Sequence, residues 1–480
     1  MASDTAPQPP PNGALPLNGT DPSSATDTNG ETAATSTKLS ADEIALYDRQ
    51  IRLWGAQAQE RIRSAKVLLV SLRALGTEIA KNLTLAGISS LTIIDDEPVT
   101  EDDLGAQFFL REEDIGKPRA EAAIPRIQEL NPRVQVQADG GKDALIAKDP
   151  TYYNGFDCII ACDHDMMTLS TINTCARLVG RPFYAAGIHG FYGYIFTDLV
   201  NHEFVIEREV SNRPTQAGAL ETLTRSVVSV TNKKEPSGKN LETVKKTETY
   251  CPLLLANSSP LPPDVTSNRR KLKQVPPLLP CLRAVFEFQR DYSHLPSIQN
   301  QQDLAVFTTL ATNKARELML PPETLRADFL RSFIQNIGAE ITPTAAFVGG
   351  RLSEDVINVL GKREQPIQNF ALFDGDTLEG RIYCLYTMPP ELAMSLNPLP
   401  MDGMQMDMGG MDMAGFGMPD MNGFAQMPNM PMGDFQGMPM GNGNGIDGNG
   451  NGIQPPADSA QDGHPAANEA AQQQGVVPPS

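Results

Sequence analysis

Short apolar runs separated by segments of helical periodicity dominate residues 41–205. The apolar runs that predict strands are residues 67–70, 91–94, 134–136, 158–161 and 183–186. The segments that predict helices are residues 77–86, 117–130 and 166–178. Strands that alternate with helices favour a mostly parallel sheet covered on both faces, so we expect an α/β fold with a doubly wound, Rossmann-like sheet.

The alternation changes after the fifth strand. Residues 194–198 predict a further strand at the start of an antiparallel extension. Residues 206–300 contain lysine pairs, several prolines and a basic run at 268–273. They predict an insertion that is partly disordered and includes a charged loop. The basic run is typical either of a nuclear localisation signal or of a solvated loop.

Residues 301–385 predict a second part of the same α/β domain. Helical patterns cover residues 303–319 and 323–337. Residues 347–360 indicate a glycine turn that opens a buried helix, and residues 369–374 indicate a final strand.

Both ends of the chain differ from its middle. Residues 1–39 are rich in Pro, Thr, Ser, Asn and Gly, and they predict a disordered segment. Residues 386–480 are rich in Met, Gly, Asn and Pro, and they predict a low-complexity tail. We expect the first part of the α/β domain to span residues 40–205.

The folded part is expected to begin with a capped helix. Ser40 and Glu43 have the spacing of a capping box, in which the serine caps the helix and the glutamate reaches back to the cap. The helix that begins there should carry Tyr47 and Arg49.

Charge and composition narrow the possible partners. The net charge is −19 at pH 7, and ten of the acidic residues lie in residues 382–480, which contain no Lys or Arg. The middle of the chain is only mildly acidic, so we expect no nucleic-acid partner. No apolar run is long enough to span a bilayer, so we expect no membrane partner. Irregular spacing predicts reduced thiols for the cysteines Cys158, Cys162, Cys175, Cys251, Cys281 and Cys384.

A nucleotide-binding turn is suggested by the first strand and the helix after it. Such turns use G-x-G-x-x-G, because glycines allow a tight turn, close approach of phosphate and close helix packing. The matching positions here are Ser71, Arg73 and Gly76, so only the third glycine is kept. Asp95 ends the second strand, where it could bind a ribose hydroxyl or act as a strand-end or capping carboxylate. We therefore expect a turn of the right shape that does not turn over nucleotide.

Several motifs together resemble the adenylation domain of the activating enzymes of ubiquitin-like proteins. They include L-Y-D-R-Q-I-R-L-W-G at residues 46–55, I-G-K-P-R-A-E-A-A at 115–123 and A-A-G-I-H-G-F-Y-G-Y at 185–194. Residues 91–109 and 347–375 also match. The resemblance extends to bacterial adenylyltransferases of molybdopterin and thiamine synthesis, and it implies a ThiF-type fold.

Within that family the chain is most similar to the smaller, non-catalytic subunits of heterodimeric SUMO activators. The resemblance implies a larger catalytic subunit as partner, SUMO as modifier and transient contact with the SUMO-conjugating enzyme. ATP and Mg²⁺ would be bound mainly by the larger subunit. It implies location in the nucleus, with a cytoplasmic pool as the alternative.

Departures from the family pattern support dependence on a partner. Asp103 and Ala106 stand where active members have an Asn and an Arg that hold ATP, and Arg119 stands where they have a Lys. Their C-x-x-C zinc pairs are absent, because Cys158 and Cys162 have three residues between them, so no metal site is expected.

Arg49 is the candidate catalytic residue. The resemblance implies that it reaches across the dimer to the ATP of the partner. A guanidinium can hold phosphate oxygens with two hydrogen bonds and offset their charge. The competing interpretation is a surface arginine in an ordinary ion pair. In this scheme Gly76 and Asp95 belong to a degenerate nucleotide pocket, Arg52 is structural, and Trp54 is a packing anchor near the dimer contact.

Other functions stay open at this point. The equivalent subunit for the NEDD8 modifier would be expected to carry a much larger helical insertion. A self-sufficient adenylyltransferase for a sulfur-carrier protein is opposed by the lost glycines. An NAD-dependent oxidoreductase lacks a recognisable catalytic constellation, and a pure scaffold would leave Arg49 idle.

Overall fold

The computed structural model describes residues 39–210, 215–234 and 239–387. The predictions for residues 1–38 and 388–480 lie outside the described residues. Ser40 accepts a hydrogen bond from the Glu43 backbone and Glu43 accepts one from the Ser40 backbone, so the predicted capping box is confirmed.

The strands form two sheets. In chain order they are β1 Lys66–Val70, β2 Ser90–Ile94, β3 Gln135–Ala138, β4 Cys158–Cys162, β5 Phe183–His189, β6 Tyr192–Asp198, β7 Asn201–Glu209, β8 Arg225–Lys234, β9 Asn240–Thr249, β10 Phe370–Asp374 and β11 Glu379–Tyr383. The larger sheet has the order β11-β10-β6-β5-β4-β1-β2-β3. Strands β1 to β5 pair in parallel, while β6, β10 and β11 pair antiparallel. The predicted doubly wound sheet and its antiparallel extension are confirmed.

The helices surround the larger sheet. In chain order they are α1 Ala41–Leu46, α2 Asp48–Trp54, α3 Ala56–Ser64, α4 Ala74–Ala86, α5 Glu101–Ala106, α6 Arg119–Leu130, α7 Lys142–Ile146, α8 Met166–Leu178, α9 Leu253–Ser258, α10 Pro263–Thr266, α11 Arg269–Lys273, α12 Leu278–Tyr292, α13 Gln301–Glu317, α14 Ala327–Asn336 and α15 Thr342–Gly361. In the described residues, no helix is long and apolar enough to cross a bilayer.

Each face of the larger sheet has its own apolar core. On β1, Leu68 and Val70 belong to the core that includes side chains of α8, α12, α13 and α14. Val67 and Leu69 point to the opposite core, which includes side chains of α4, α6 and α15. Successive strand residues alternate between the two faces, so a continuous apolar run serves both cores.

The prediction of a charged loop within residues 206–300 was wrong for its described part. Strands β7, β9 and β8 form a three-stranded antiparallel sheet in that order. Lys245 and Lys246 lie within β9. One face of β9 buries Glu242, Lys246 and Glu248 together with Val244, and the charged members are paired. Because paired charged residues occupy inward positions of β9, its sequence lacks the apolar alternation that indicates a strand.

Three further local predictions need correction. The basic run at 268–273 forms α11, which is capped by Asn268. The glycines near residue 349 lie inside α15 and do not form a turn that opens it. A Cβ on Gly349 would lie 2.8 Å from Cβ of Glu78, so this glycine allows α15 to approach α4. Strand β10 is not the last strand, because β11 follows it.

Candidate functional site

The turn between β1 and α4 lies where strand order reverses. From β1 the chain moves outward to β2 and β3, and then returns to place β4 on the other side of β1. In open α/β sheets, ligands bind in the crevice at the carboxyl ends of strands at such a switch point. Ser71 follows β1 and Asp163 follows β4, so both residues lie at this crevice.

The turn keeps the shape of a nucleotide-binding turn. Ser71 has a φ of 76°, a left-handed conformation that glycine adopts more readily than other residues. A Cβ on Gly76 would lie 2.1 Å from the Ser71 carbonyl oxygen, so α4 packs too close to the turn for a larger residue. A serine has therefore taken the strained first position, while the third position still requires glycine.

Carboxylates of the chain itself occupy two of the backbone donors of this turn. Leu72 donates its N–H to Asp95 Oδ2 at 2.7 Å. Ala74, the first residue of α4, donates its N–H to Glu340 Oε2 at 3.1 Å. Glu340 Oε1 lies 2.5 Å from Arg73 Nε. Free N–H groups at a helix N-terminus are what attract phosphate, and here an internal anion already accepts from one of them.

Asp95 is held by a buried arginine. Arg119 Nη1 donates to both carboxylate oxygens of Asp95 at 2.8 Å, and Arg119 Nε donates to Asp103 Oδ1 at 3.0 Å. All three side chains are buried. Burial alone would lower the pKa of Arg119, but Asp95 and Asp103 raise it overall, so the arginine is charged. For Asp95, this geometry favours the role of a strand-end carboxylate over that of a ligand for a ribose hydroxyl.

Two departures from the family pattern therefore act together. Asp103 and Arg119, for which the resemblance implies an Asn and a Lys in active members, form one buried ion pair. The contribution of Glu340 and Asp163 was missed by the sequence analysis. Their partners lie far away in the sequence, and no local motif marks either residue.

The crevice is also acidic. Its volume is about 210 Å³, and it is lined by five carboxylates and two basic side chains. These are Asp95, Asp96, Glu97, Asp143 and Asp163, with Arg73 and Lys142. An acidic lining disfavours a triphosphate, so the residues present do not fit ATP. Among the described residues, no group of three or more His, Cys, Asp or Glu is arranged to hold a metal ion.

Arg49 lies elsewhere, on α2. Its side chain is exposed, and it makes no hydrogen bond or ion pair with any residue in the described part of the chain. Its neighbour Arg52 differs, because Arg52 Nη2 lies 3.0 Å from Asp48 Oδ2. Among the described residues, the structure therefore shows no ion pair of the kind that the competing interpretation of Arg49 requires.

Helix α2 is anchored at its C-terminal end. Trp54 Nε1 donates to Gln59 Oε1 at 2.8 Å, and Gln59 Nε2 donates to the Ala86 carbonyl at 3.1 Å. Trp54 is partly buried against the core that contains α4 and α15. Leu53, by contrast, is 80% exposed and borders a groove of about 500 Å³ between α2, α4 and α15. Arg49 is thus carried on an anchored helix whose residue Leu53 borders a partly apolar groove.

Comparison with known proteins places the chain in a family. A sequence model of the ThiF family matches residues 47–390, a range that includes Arg49 and the whole crevice. The DNA damage tolerance protein RHC31 of Saccharomyces cerevisiae is 40% identical over 349 residues, which cover 71% of this chain and 96% of that protein. The human SUMO-activating enzyme subunit 1 is 34% identical over 354 residues, which cover 72% of this chain and 96% of that protein. The Xenopus tropicalis SUMO-activating enzyme subunit 1 is 34% identical over 363 residues, which cover 72% of this chain and 97% of that protein. The chain therefore belongs to the ThiF family.

Proposed function

We propose that this chain is the smaller, non-catalytic subunit of a SUMO-activating heterodimer. The larger subunit binds ATP with Mg²⁺, activates the C-terminal carboxylate of SUMO by adenylation and then carries SUMO as a thioester. The names of the similar proteins favour SUMO over the NEDD8 and sulfur-carrier alternatives.

One observation carries the non-catalytic part of the proposal. The N–H groups of Leu72 and Ala74 are already bound by Asp95 and Glu340. ATP would have to displace two carboxylates from this turn and then face the other acidic side chains of the crevice. Two backbone donors of this site are thus already occupied, and its lining lacks the positive potential that a triphosphate needs.

Arg49 is the group that this chain supplies to its partner. ATP bound by the larger subunit provides the phosphoryl group to be attacked, and negative charge builds up as pyrophosphate leaves. An arginine placed beside that charge stabilises it through charge-assisted hydrogen bonds. Because Arg49 has no partner among the described residues, no ion pair with any of them must be broken before it binds phosphate. The exposed apolar surface at Leu53 and the adjoining groove is a suitable contact for the larger subunit.

The remaining parts of the proposal follow from the same assignment. SUMO and, transiently, the SUMO-conjugating enzyme are the other partners. We propose the nucleus as the site of action, with a cytoplasmic pool as the alternative. Two of the four basic side chains of α11, Lys271 and Lys273, are paired with Asp264 and Glu323, so an import receptor would have to compete with these ion pairs.

SUMO-dependent exchange of pyrophosphate into ATP tests the proposal. The assay compares this chain alone, the larger subunit alone and an equimolar mixture. We expect exchange to be greatest in the mixture and absent with this chain alone. Exchange by this chain alone would contradict the proposal, because the turn at Ser71–Gly76 would then hold ATP in spite of its bound carboxylates.

A further inference from the structure

Asp163, a partly buried carboxylate at the switch point, has no counter-charge from the described residues bonded to it. Asp163 Oδ1 accepts the N–H of Ile188 at 3.0 Å. Its Oδ2 is shut off from solvent and has no hydrogen-bond partner in the described part of the chain. The side chain borders both the acidic crevice and a smaller cavity of about 50 Å³ beside it. Buried polar atoms are nearly always bonded, so an orphan of this kind requires an explanation.

The residue next to Asp163 also has a buried polar atom without a hydrogen-bond partner in the described part of the chain. His164 Nε2 is buried, and it too lacks a hydrogen-bond partner among the described residues. Burial lowers the pKa of His164 to about 4, so the ring is neutral at physiological pH and one of its nitrogens is an acceptor. A carboxylate oxygen and an imidazole that can accept therefore border the same crevice. A ligand with N–H donors would provide hydrogen-bond partners for both acceptors.

The remaining lining favours a positive ligand. Arg73 is already paired with Glu340, and Arg119 already forms an ion pair with Asp95. Among the other lining residues, Asp96 and Asp143 have no ion-pair partner in the described residues, and Lys142 is the opposing charge. Protein pockets for drug-sized ligands measure roughly 300–1,000 Å³. At about 210 Å³ the crevice instead suits a group of the size of one side chain.

We propose that the crevice, which in active family members would receive a nucleotide, binds a small organic cation here through Asp163 and His164. The ligand group is an ammonium or a guanidinium, whose N–H groups donate to Asp163 Oδ2 and His164 Nε2 once the two side chains turn these atoms toward the crevice. Asp96 and Asp143 add attraction at the rim. A metal ion fits less well, because the described carboxylates and histidines do not converge into a coordination shell. The source is either a polyamine or a basic side chain of another polypeptide. This inference does not depend on the partnership proposed above.

The surroundings of Asp163 give the binding a characteristic pH dependence. Burial, and then the nearby Glu340, raise the pKa of Asp163 to about 7, while the Ile188 N–H and Arg73 lower it. Tyr194, His189 and Lys142 also border the two cavities. Burial keeps Tyr194 protonated and lowers the pKa of His189 to about 4, so neither changes charge between pH 6 and 8. Ionisation of Asp163 should therefore strengthen cation binding about tenfold from pH 6 to pH 8.

Isothermal titration calorimetry of the full-length chain tests the proposal. The probes are spermidine for a polyamine and Nα-acetyl-arginine amide for a basic side chain, with ATP and Mg²⁺ as the opposing ligand. We expect one or both cations to bind with the stated pH dependence. Asp163→Asn should weaken binding about tenfold or more, because a charge-assisted hydrogen bond is lost.

Two further variants keep the test decisive if Asp163→Asn does not fold. Asp143→Asn removes an exposed rim charge and should weaken binding by about threefold. Glu129→Gln is the matched control, because Glu129 is exposed near the end of α6, the end that points away from the crevice. Its binding should equal that of the unaltered chain. Absence of binding, equal effects of Asp143→Asn and Glu129→Gln, or tighter binding of ATP than of both cations would overturn the proposal.

Discussion

Glu340 is bound to Arg73 at the N-terminus of α4, with 2.5 Å between Glu340 Oε1 and Arg73 Nε. The second oxygen of the same carboxylate accepts the N–H of Ala74 at 3.1 Å. The arginine that replaces a glycine of the nucleotide turn is thus neutralised by an anion from the chain itself. The turn has lost two of its three glycines, and an internal carboxylate now accepts an N–H that could otherwise bind phosphate.

Gly76 should be far less tolerant of substitution than Gly350. A Cβ at Gly76 would lie 2.1 Å from the Ser71 carbonyl oxygen, whereas a Cβ at Gly350, inside α15, meets nothing within 4 Å. Gly76→Ala should destabilise the chain by about 1–3 kcal/mol through overpacking. Gly350→Ala should stabilise it by up to about 1 kcal/mol through helix propensity. Urea unfolding of both variants measures the difference, and equal free energies of unfolding would show that the turn can relax.

Arg119 should be essential for stability and not for catalysis. Its removal leaves the buried carboxylates of Asp95 and Asp103 without their shared counter-charge. Arg119→Ala should therefore lower the free energy of unfolding by about 3–5 kcal/mol. Arg326→Ala is the control, because Arg326 and its partner Asp328 are both exposed, and its effect should stay within about 0.5 kcal/mol. Chemical denaturation compares the two variants, and similar small losses would mean that water replaces Arg119 in this network.

Asp163 should make the chain less stable as pH rises. Its pKa is about 7 in the folded chain, above the ordinary value of 3.8, so the folded state keeps a proton that the unfolded state has released. The stability linked to that proton is present below about pH 4 and is lost as pH rises towards 7. Asp163→Asn cannot ionise, so it should gain stability relative to the unaltered chain between pH 5 and pH 8.

Unfolding free energies at both pH values, measured without added cation, give the comparison. The difference between the two proteins cancels the titration of other groups. A difference that does not change with pH would show that Asp163 already finds a counter-charge in solution. Addition of spermidine at pH 8 should restore part of the stability of the unaltered chain and stabilise Asp163→Asn less.

Much of the larger sheet could be predicted because its strands are buried on both faces. Strands β1, β2, β4 and β5 read as continuous apolar runs, and α8 was predicted with the bounds Met166–Leu178 that the structure has. The small sheet could not be predicted in this way. Glu242, Lys246 and Glu248 point inward on β9, and their ion pairs take the place of an apolar pattern.

The candidate site, too, could be predicted only where its features are local in sequence. Degeneration of the turn was visible at Ser71 and Arg73, because the glycine pattern is local in sequence. Its occupation by Glu340 was not visible, because it depends on how the loop before α15 packs against the start of α4. The family resemblance marked Asp103 and Arg119 as separate losses, and only the structure joins them into one ion pair.

We propose that this chain supplies Arg49 to the ATP site of a partner. SUMO-dependent ATP–pyrophosphate exchange by the heterodimer tests this role, with Arg49→Ala compared against Arg52→Ala. Arg52 is the matched control, since it lies on the same exposed helix but is paired with Asp48. We predict that Arg49→Ala slows exchange about ten- to a hundredfold while the two subunits still co-elute in gel filtration. Arg52→Ala should stay within about twofold of the unaltered protein. Equal rates for the two variants, or loss of the heterodimer in Arg49→Ala, would show that Arg49 is a surface or structural residue.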